Sequence, residues 1–224
     1  MTATISVAEM RALERRSMES GRASGLELME RAGQGVVDAV LATWPALAEH
    51  PGRAEIFCGP GNNGGDGFVV ARLLKDRGWQ VGVRLWGDPA HLPPDARANW
   101  ERLAAADRVA PGAPAPAPDL MVDALFGTGL ARPIDDPDLW EVLWEIDDQS
   151  DLAGIDRAHA RTVAIDIPSG LSADTGEVLG GVPEHGLRAA RAMLTVTFHA
   201  PKPGHLQGAG PDLCGRLAVA DIGL

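Results

Sequence analysis

Residues 58–67 read Cys58-Gly59-Pro60-Gly61-Asn62-Asn63-Gly64-Gly65-Asp66-Gly67, and they separate an apolar run, 54–57, from a helical pattern, 68–74. This order predicts a β-strand, a glycine-rich phosphate loop and an α-helix. The glycines permit positive φ angles and let a ligand approach main-chain N–H groups closely. We expect Asp66 to cap the helix, so that the free amides of its first turn face an anion.

Gly59, Gly61 and Gly64 match the dinucleotide fingerprint G-x-G-x-x-G. A tight turn that only reverses the chain would account for these three glycines equally well. The neighbouring Asn62 and Asn63, together with Asp66, add three oxygen-bearing side chains, whereas a plain turn needs one. Their clustering favours contact with a ligand or a cation.

Composition limits the class of protein. The chain has 224 residues, of which 45% are hydrophobic, and we expect one domain over residues 1–224. No apolar run approaches the roughly 18 to 20 residues that cross a bilayer, and no secretory signal is visible, so we expect a cytoplasmic protein. Two cysteines are too few for a disulfide framework.

The formal net charge is −11, without a block of lysines or arginines. This charge argues against nucleic acid or an anionic membrane as the partner. An anionic ligand must therefore be held by local groups such as loop amides, a helix N-terminus or a bound cation.

Helical and extended patterns alternate along the chain. Capping boxes at Ser6–Glu9 and Ser24–Glu27 predict two N-terminal helices, the second stopped by Pro45. Later helices are predicted from Asp95 to about Asp107 and after Asp136-Pro137. Further strands are predicted at 80–86, 120–126, 162–167, 192–198 and 216–222. The segments 110–118 and 147–160 are expected to lie on the surface. The alternation predicts an α/β fold with a mostly parallel sheet between two helical layers.

Ligands of such sheets bind beyond the carboxyl ends of the strands. Four unusual segments fall at predicted strand ends and should converge there: 59–67, 123–130, 166–170 and 199–205. Asp123 and Asp166 interrupt apolar strands, where a carboxylate binds a cation, does chemistry or caps a loop. Ser169 lacks the nucleophile pattern G-x-S-x-G, so we favour a ligand or cation contact.

Lys202 lies between two prolines and is compatible with a phosphate contact or with a solvated side chain. The six histidines show no spacing typical of a zinc site.

Taken together, the sequence closely resembles the NAD(P)H-hydrate epimerase family, the YjeF-type N-terminal domain. The resemblance covers nearly the whole chain and implies a Rossmann-like three-layer α/β/α fold. The segments that carry it are 9–11, 28–33, 59–67, 122–130, 164–171, 174–176 and 201–204.

The resemblance implies an isomerase of nicotinamide cofactor repair, which interconverts the R and S forms of NADHX and NADPHX. These damaged cofactors carry water at C6 of the nicotinamide ring. It also implies a homodimer, and coupling to an ATP- or ADP-dependent dehydratase that is often fused to this domain. The chain is then a stand-alone epimerase or an excised domain.

The resemblance further implies a set of site residues. One potassium ion per subunit is held by Asn63, Asp123 and Ser169. From the chemistry of water loss and addition at C6, rather than from the resemblance, Asp166 is our candidate acid and then base, with Lys202 as a helper. The substrate-binding residues are Asn62, Asn63, Gly64, Gly65, Asp66, Gly127, Thr128, Gly129, Leu130, Ala131, Arg132, Pro133 and Asp166.

Two mechanisms remain open: loss and readdition of water at C6, and opening of the ring at N1. Two other functions also remain open, an NAD(P)-dependent oxidoreductase and a non-catalytic nucleotide-binding protein. Against the oxidoreductase, Trp86-Gly87-Asp88 is a poor match to the acidic strand end that reads a ribose.

Overall fold

A computed structural model describes residues 3–109, 117–147, 161–182 and 186–224. Its main sheet has seven strands, all parallel, in the order β3-β2-β1-β4-β5-β8-β9. The strands, with the separate antiparallel hairpin β6–β7, are β1 Arg53–Cys58, β2 Gln80–Leu85, β3 Arg108–Val109, β4 Leu120–Ala124, β5 Arg161–Ile165, β6 Gly180–Val182, β7 Gly186–Arg188, β8 Leu194–Phe198 and β9 Arg216–Ala220.

The first two helices begin where the sequence places strong caps. Ser6 and Ser24 each accept a hydrogen bond from the backbone of a glutamate three residues on, whose side chain bonds back, so both capping boxes are confirmed. The helices are α1 Val7–Glu19, α2 Gly25–Thr43, α3 Ala46–Glu49, α4 Asn62–Asp76, α5 Pro94–Arg102, α6 Pro137–Asp147, α7 Pro203–Leu206 and α8 Gly210–Leu213. No helix among them is long and apolar enough to span a membrane.

The sheet is buried on both faces. In β1, Ala54, Ile56 and Cys58 pack in the large core that includes α2, α4 and α5. Phe57 points to the other face and packs with residues of α6. Because helices cover both faces, the predicted three-layer α/β/α fold with a Rossmann-like parallel sheet is confirmed.

Several predicted strands and helices extend beyond their observed ends. Strands β4 and β5 end at Ala124 and Ile165, two residues before the predicted ends. Helix α5 ends at Arg102, and a short 3-10 turn over 105–107 follows it. The apolar residues beyond β4 and β5 are buried in loops, so their burial rather than extended structure accounts for the pattern. The predicted surface segments 110–118 and 147–160 lie largely outside the described residues.

The prediction for the glycine-rich stretch was wrong in two respects. Helix α4 begins at Asn62 with Gly61 as its N-cap, so Asp66 lies inside the helix and does not cap it. None of the five glycines from Gly59 to Gly67 has a positive φ angle. All but Gly61 are needed for close packing instead; a Cβ on Gly59, for example, would overlap the carbonyl of Leu125, whereas a Cβ on Gly61 would meet nothing within 4 Å.

Gly65→Val tests this packing. A Cβ at Gly65 would lie 2.6 Å from Cε of Met29 and 3.0 Å from Cβ of Ala96, closer than carbon atoms pack. Overpacking of a core costs about 1 to 3 kcal/mol, so we expect the melting temperature to fall by roughly 3 to 10 °C. Ala42→Val, at an exposed position of α2, is the control for a β-branched residue in a helix. Equal melting temperatures for the two variants would contradict the packing role.

Candidate active site

A cavity of about 500 Å³ opens at the carboxyl edge of the sheet. Helix α1, the start of α4 and the loop after β4 enclose it, with residues that follow β5 and end β8. Its lining residues are Arg11, Glu14, Pro60, Gly61, Asn62, Asn63, Asp66, Leu125, Phe126, Gly127, Thr128, Gly129, Leu130, Ala131, Arg132, Asp166 and Phe198. Three of the four predicted segments therefore line one cavity, and the fourth, 199–205, meets it through the hydrogen bond from Lys202 to Asp166, as expected for a doubly wound fold.

Asp166 lies at a sharp turn at the end of β5. Its φ angle is +66°, in the left-handed region that aspartate tolerates better than most residues. Its N–H still donates to Val196 O of β8 (2.8 Å), and the next N–H, of Ile167, turns back to Ile165 O (2.8 Å). This turn presents the Asp166 side chain to the cavity. Unfavourable backbone conformations of this kind concentrate at functional sites.

The Asp166 carboxylate is held by three donors. Lys202 Nζ (3.0 Å) and the hydroxyl of Thr197 (3.1 Å) donate to Oδ1, and the Thr128 N–H (3.0 Å) donates to Oδ2. Lys202 is 1% exposed and also donates to Thr197 Oγ1 (2.8 Å) and Phe198 O (3.1 Å). The solvated alternative for Lys202 is therefore wrong.

These contacts decide the charge of Asp166. Burial raises the pKa of its carboxyl group. The charge of Lys202 and the hydrogen bonds from Thr128 and Lys202 together lower this pKa by more than burial raises it, so it lies below its usual value. Asp166 is consequently ionised at neutral pH. A buried carboxylate in this state can accept a proton from a substrate or a water molecule.

His205 contacts the backbone of both Lys202 and Asp166. It was not among the predicted site residues. Its Nδ1 accepts the backbone N–H of Lys202 (2.9 Å), so Nε2 carries the proton and donates to Asp166 O (2.7 Å). Burial lowers the pKa of His205, which keeps the ring neutral. Lys202 and His205 do not form the Ser/Thr-x-x-Glu/Gln pattern of a capping box, so the sequence held no local signal for this contact.

Asp123 and Ser169 form a second buried polar group beneath the cavity. Ser169 donates to the Asp123 carboxylate from its hydroxyl (2.5 Å) and its N–H (2.7 Å), and its oxygen accepts the Phe126 N–H (2.8 Å). Burial raises the pKa of Asp123 to about 6, although the hydrogen bonds from Ser169 and Leu125 oppose the rise. Among the described residues, no lysine, arginine or histidine pairs with Asp123.

Asn63 lies on the other side of the Phe126–Gly127 peptide. Its amide is 3.3 Å from both Ile165 O and Gly127 N, and hydrogen bonding is satisfied when Nδ2 faces Ile165 O. A Cβ on Gly127 would collide with this amide and with the Asp166 carboxylate. Gly127 is thus required where Asn63 and Asp166 approach each other.

The structure places most predicted substrate-binding residues on the cavity wall. The exceptions are Gly64 and Gly65, which are buried in the packing of α4, and Pro133, which is exposed beyond the loop. Sequence reasoning missed Arg11, Glu14 and Phe198 as lining residues. Arg11 and Glu14 share one face of α1 through their spacing of three, but nothing local shows that this face meets the sheet edge.

Comparisons with known proteins agree with this arrangement. Residues 25–204 match the family model described as YjeF-related protein N-terminus. The chain is 46% identical to the NAD(P)H-hydrate epimerase of Rhodobacter capsulatus, over 92% of this chain and 93% of that protein. It is 41% identical to the NAD(P)H-hydrate epimerase of Roseobacter litoralis, over 98% of both chains.

The chain is also similar to part of a longer enzyme and to a solved structure. The bifunctional NAD(P)H-hydrate repair enzyme Nnr of Coxiella burnetii is 38% identical over the whole of this chain, which spans 42% of that enzyme. The crystal structure of yeast ynu0 shares the fold with a TM-score of 0.70 at 21% identity, covering 91% of this chain and 83% of the yeast chain. By the family model and the closely similar curated relatives, the chain belongs to the YjeF-related N-terminal family, that of the NAD(P)H-hydrate epimerases.

Proposed function

We propose that this protein interconverts the R and S forms of NADHX and NADPHX. The observation that carries the proposal is the buried Asp166–Lys202 pair, of which Asp166 lines a nucleotide-sized cavity in a chain of this family. Hydrated cofactors offer a hydroxyl group at C6 beside the ring nitrogen N1. A positioned acid or base at that carbon is what the reaction requires.

The start of α4 is suited to the pyrophosphate of such a substrate. The first N–H groups of a helix lack intrahelical partners, and the helix dipole is positive at this end. Asn62 and Asn63 from the first turn line the cavity, with Arg11 and Arg132 nearby on its wall. These local groups offset the net charge of −11, which would otherwise repel an anionic ligand.

The chemistry follows from electron supply at N1. Its lone pair expels water from C6 when an acid protonates the hydroxyl, which leaves a planar iminium carbon. Water then adds to either face while a base takes its proton. Asp166 is ionised beside Lys202, so it is suited to act as the base that takes this proton. Opening of the ring at N1 would use the same residue.

The oxidoreductase alternative gains no support from the site. Asp88, after the end of β2, accepts the N–H of Ala90 (2.8 Å) and does not line the cavity. It is therefore not placed to read a ribose there. A non-catalytic binding protein would have no need of a buried lysine that donates to Asp166, Thr197 and Phe198 and keeps a carboxylate ionised at the cavity.

The direct test is to incubate pure R-NADPHX with the protein and follow the S form by chromatography. We expect conversion far above the spontaneous rate. Binding without conversion would favour the non-catalytic alternative, and a change in nicotinamide absorbance with an added alcohol would favour the oxidoreductase.

We also propose that Asn63, Asp123 and Ser169 hold one potassium ion per subunit. The donors around the Phe126–Gly127 peptide are all oxygens, which suit a hard cation, and the Asp123 carboxylate is fully buried without a cationic partner among the described residues. If Asn63 is turned so that its oxygen faces Ile165 O, two oxygens meet, an arrangement that a cation would stabilise. When bound, the ion would supply a fixed positive charge beneath the ligand.

The partners of the enzyme are proposed from its relatives. A homodimer is compatible with the exposed Met18 of α1 and Val219 of the edge strand β9, since apolar side chains of this size are common in interfaces. The bifunctional repair enzyme of Coxiella burnetii suggests that the S form passes to a dehydratase.

Asp166→Asn is the first test of the chemistry. The amide keeps the shape and accepts the Lys202 hydrogen bond, but it cannot carry a proton between solvent and substrate. We expect NADPHX to bind within a few fold of the parental affinity while interconversion falls roughly a hundredfold or more. Titration and turnover on one preparation decide the matter. A near-parental rate would reduce Asp166 to a positioning residue.

Lys202→Met tests what keeps Asp166 ionised. The substitution preserves volume and removes the positive charge that lowers the pKa of Asp166, so this pKa should rise. Because the base is lost below its pKa, we expect the acidic limb of the pH profile for kcat/KM to move to higher pH. Arg15→Met, on the exposed side of α1, is the control. An unmoved acidic limb would show that Lys202 does not set the charge of Asp166.

Thermal melting in potassium chloride tests the ion site. We expect a higher melting temperature than in tetramethylammonium chloride of equal ionic strength, because only the smaller cation can enter a buried oxygen site. Asp123→Asn should abolish the difference. The same melting temperature in both salts for the parental protein would count against the site.

A further inference from the structure

Two carboxyl groups on the cavity wall, those of Asp66 and Glu14, have no proton-transfer role in the scheme above. Asp66 comes from the second turn of α4 and shares a helix face with Asn62 and Asn63. Glu14 comes from α1, and both side chains are partly buried. Neither carboxyl group has a hydrogen bond or ion pair with any residue within the described ranges. Partly buried carboxyl groups without partners call for a ligand.

Asp66 and Glu14 also line a second, smaller cavity. Its volume is about 160 Å³, and its lining includes the apolar side chains of Leu28 and Met29. Glu14, Asn62, Asp66 and Phe198 line both cavities, so they make up the partition between them. Of the two cavities, Asp166 lines only the larger one. Asp66 and Glu14 therefore lie where the two cavities meet, and Asp166 lies elsewhere on the wall of the larger cavity.

The carboxyl groups of Asp66 and Glu14 differ from that of Asp166 in the direction of their pKa shifts. Burial raises the pKa of Asp66 well above its usual value, and the charges of Asp166 and Glu14 raise it further. Burial also raises the pKa of Glu14, with a further rise from Asp166, against the opposing charges of Lys202 and Arg11. Asp166 is ionised. Environments that push the pKa values of neighbouring groups apart commonly mark an acid and its matching base.

Inversion at C6 by loss and addition of water needs a proton donor on one face of the ring and a proton acceptor on the other. The leaving hydroxyl must be protonated on one face, and the attacking water must lose a proton on the other. A single group reaches one face only, unless the substrate turns over within the cavity.

We propose that Asp66 is the second proton-transfer group of the epimerase, acting from helix α4 while Asp166 acts from the turn after β5, and that Glu14 of α1 is its positioning residue. This inference rests on the proposed epimerase function. A neutral Asp66 also avoids repelling the pyrophosphate at the start of α4.

The step balances as follows. Asp66 gives its proton to the C6 hydroxyl, the C6–O bond breaks with release of water, and the N1 lone pair forms the C=N bond. A second water adds to C6 on the other face, the C=N pair returns to N1, and Asp166 accepts the proton. The reverse reaction restores both groups, and exchange with solvent resets them between turnovers in one direction.

The main test is Asp66→Asn. We expect kcat for R-to-S conversion to fall roughly a hundredfold or more, while NADPHX binding changes by no more than a few fold. Asp95→Asn is the matched control, because its carboxylate lines the smaller cavity only. We expect that variant to keep the parental kcat. Equal kcat for Asp66→Asn and the parental protein would overturn the inference and leave Asp166 as the only proton carrier.

Glu14→Gln tests the positioning role by its pH profile. The charged and titratable groups that surround Asp66 are Glu14 and Arg11 of α1, Asp166 and Lys202 beyond the sheet edge, Cys58 of β1 and Asp95 of α5. Loss of the Glu14 charge should lower the pKa of Asp66, so the acid is lost at lower pH. We expect the alkaline limb of kcat/KM to move to lower pH, with Glu19→Gln on the same helix unchanged. An unmoved limb would overturn the role of Glu14.

Isotope labelling tests the route without any variant. Each R-to-S conversion in oxygen-18 water should place one labelled oxygen at C6. S product that retains its original oxygen would overturn the mechanism in which Asp66 and Asp166 transfer protons during loss and addition of water. If the parental protein does not convert R-NADPHX at all, the proposed function fails, which is a distinct outcome from a change limited to the variants.

Discussion

The buried ion pair between Lys202 and Asp166 is the constraint on which the site depends. An ammonium group that is 1% exposed must have all three N–H groups satisfied, and Asp166, Thr197 and Phe198 do this. Breaking such a pair by removing one partner typically costs about 3 to 5 kcal/mol. The pair therefore ties the turn after β5 to the loop after β8, and it keeps the carboxylate ionised at the cavity wall.

Close packing of glycines puts the other half of the site in place. Within α4, Gly64 lies against the carbonyl of Gly59, and Gly67 lies against Ala124 and Cys58, so the helix starts directly beside the ends of β1 and β4. A larger residue at Gly64 or Gly67 would push the helix away from the sheet edge. The first-turn amides of α4 and the Gly127–Arg132 loop consequently face the same cavity.

Electrostatics separate the roles of the acidic residues around that cavity. Asp166 has a cation and an N–H donor, Asp123 has hydrogen bonds without a cation, and Asp66 has neither among the described residues. Burial acts on all three, so the pKa of each reflects the partners that remain. The same side-chain chemistry thus yields a base, a candidate cation ligand and a candidate acid within one edge of the sheet.

The sequence by itself determined the elements whose causes are local. Capping boxes at Ser6 and Ser24, the Asp136-Pro137 helix start and the apolar strands all act within a few residues, and the strand-end polar groups followed from the parallel topology. Only the tertiary structure decided that Lys202 is buried against a residue 36 positions away, and that Arg11 and Glu14 reach the cavity. It also showed that the glycines pack tightly without left-handed backbone. Burial and long-range pairing depend on how the elements meet, and no local pattern carries that information.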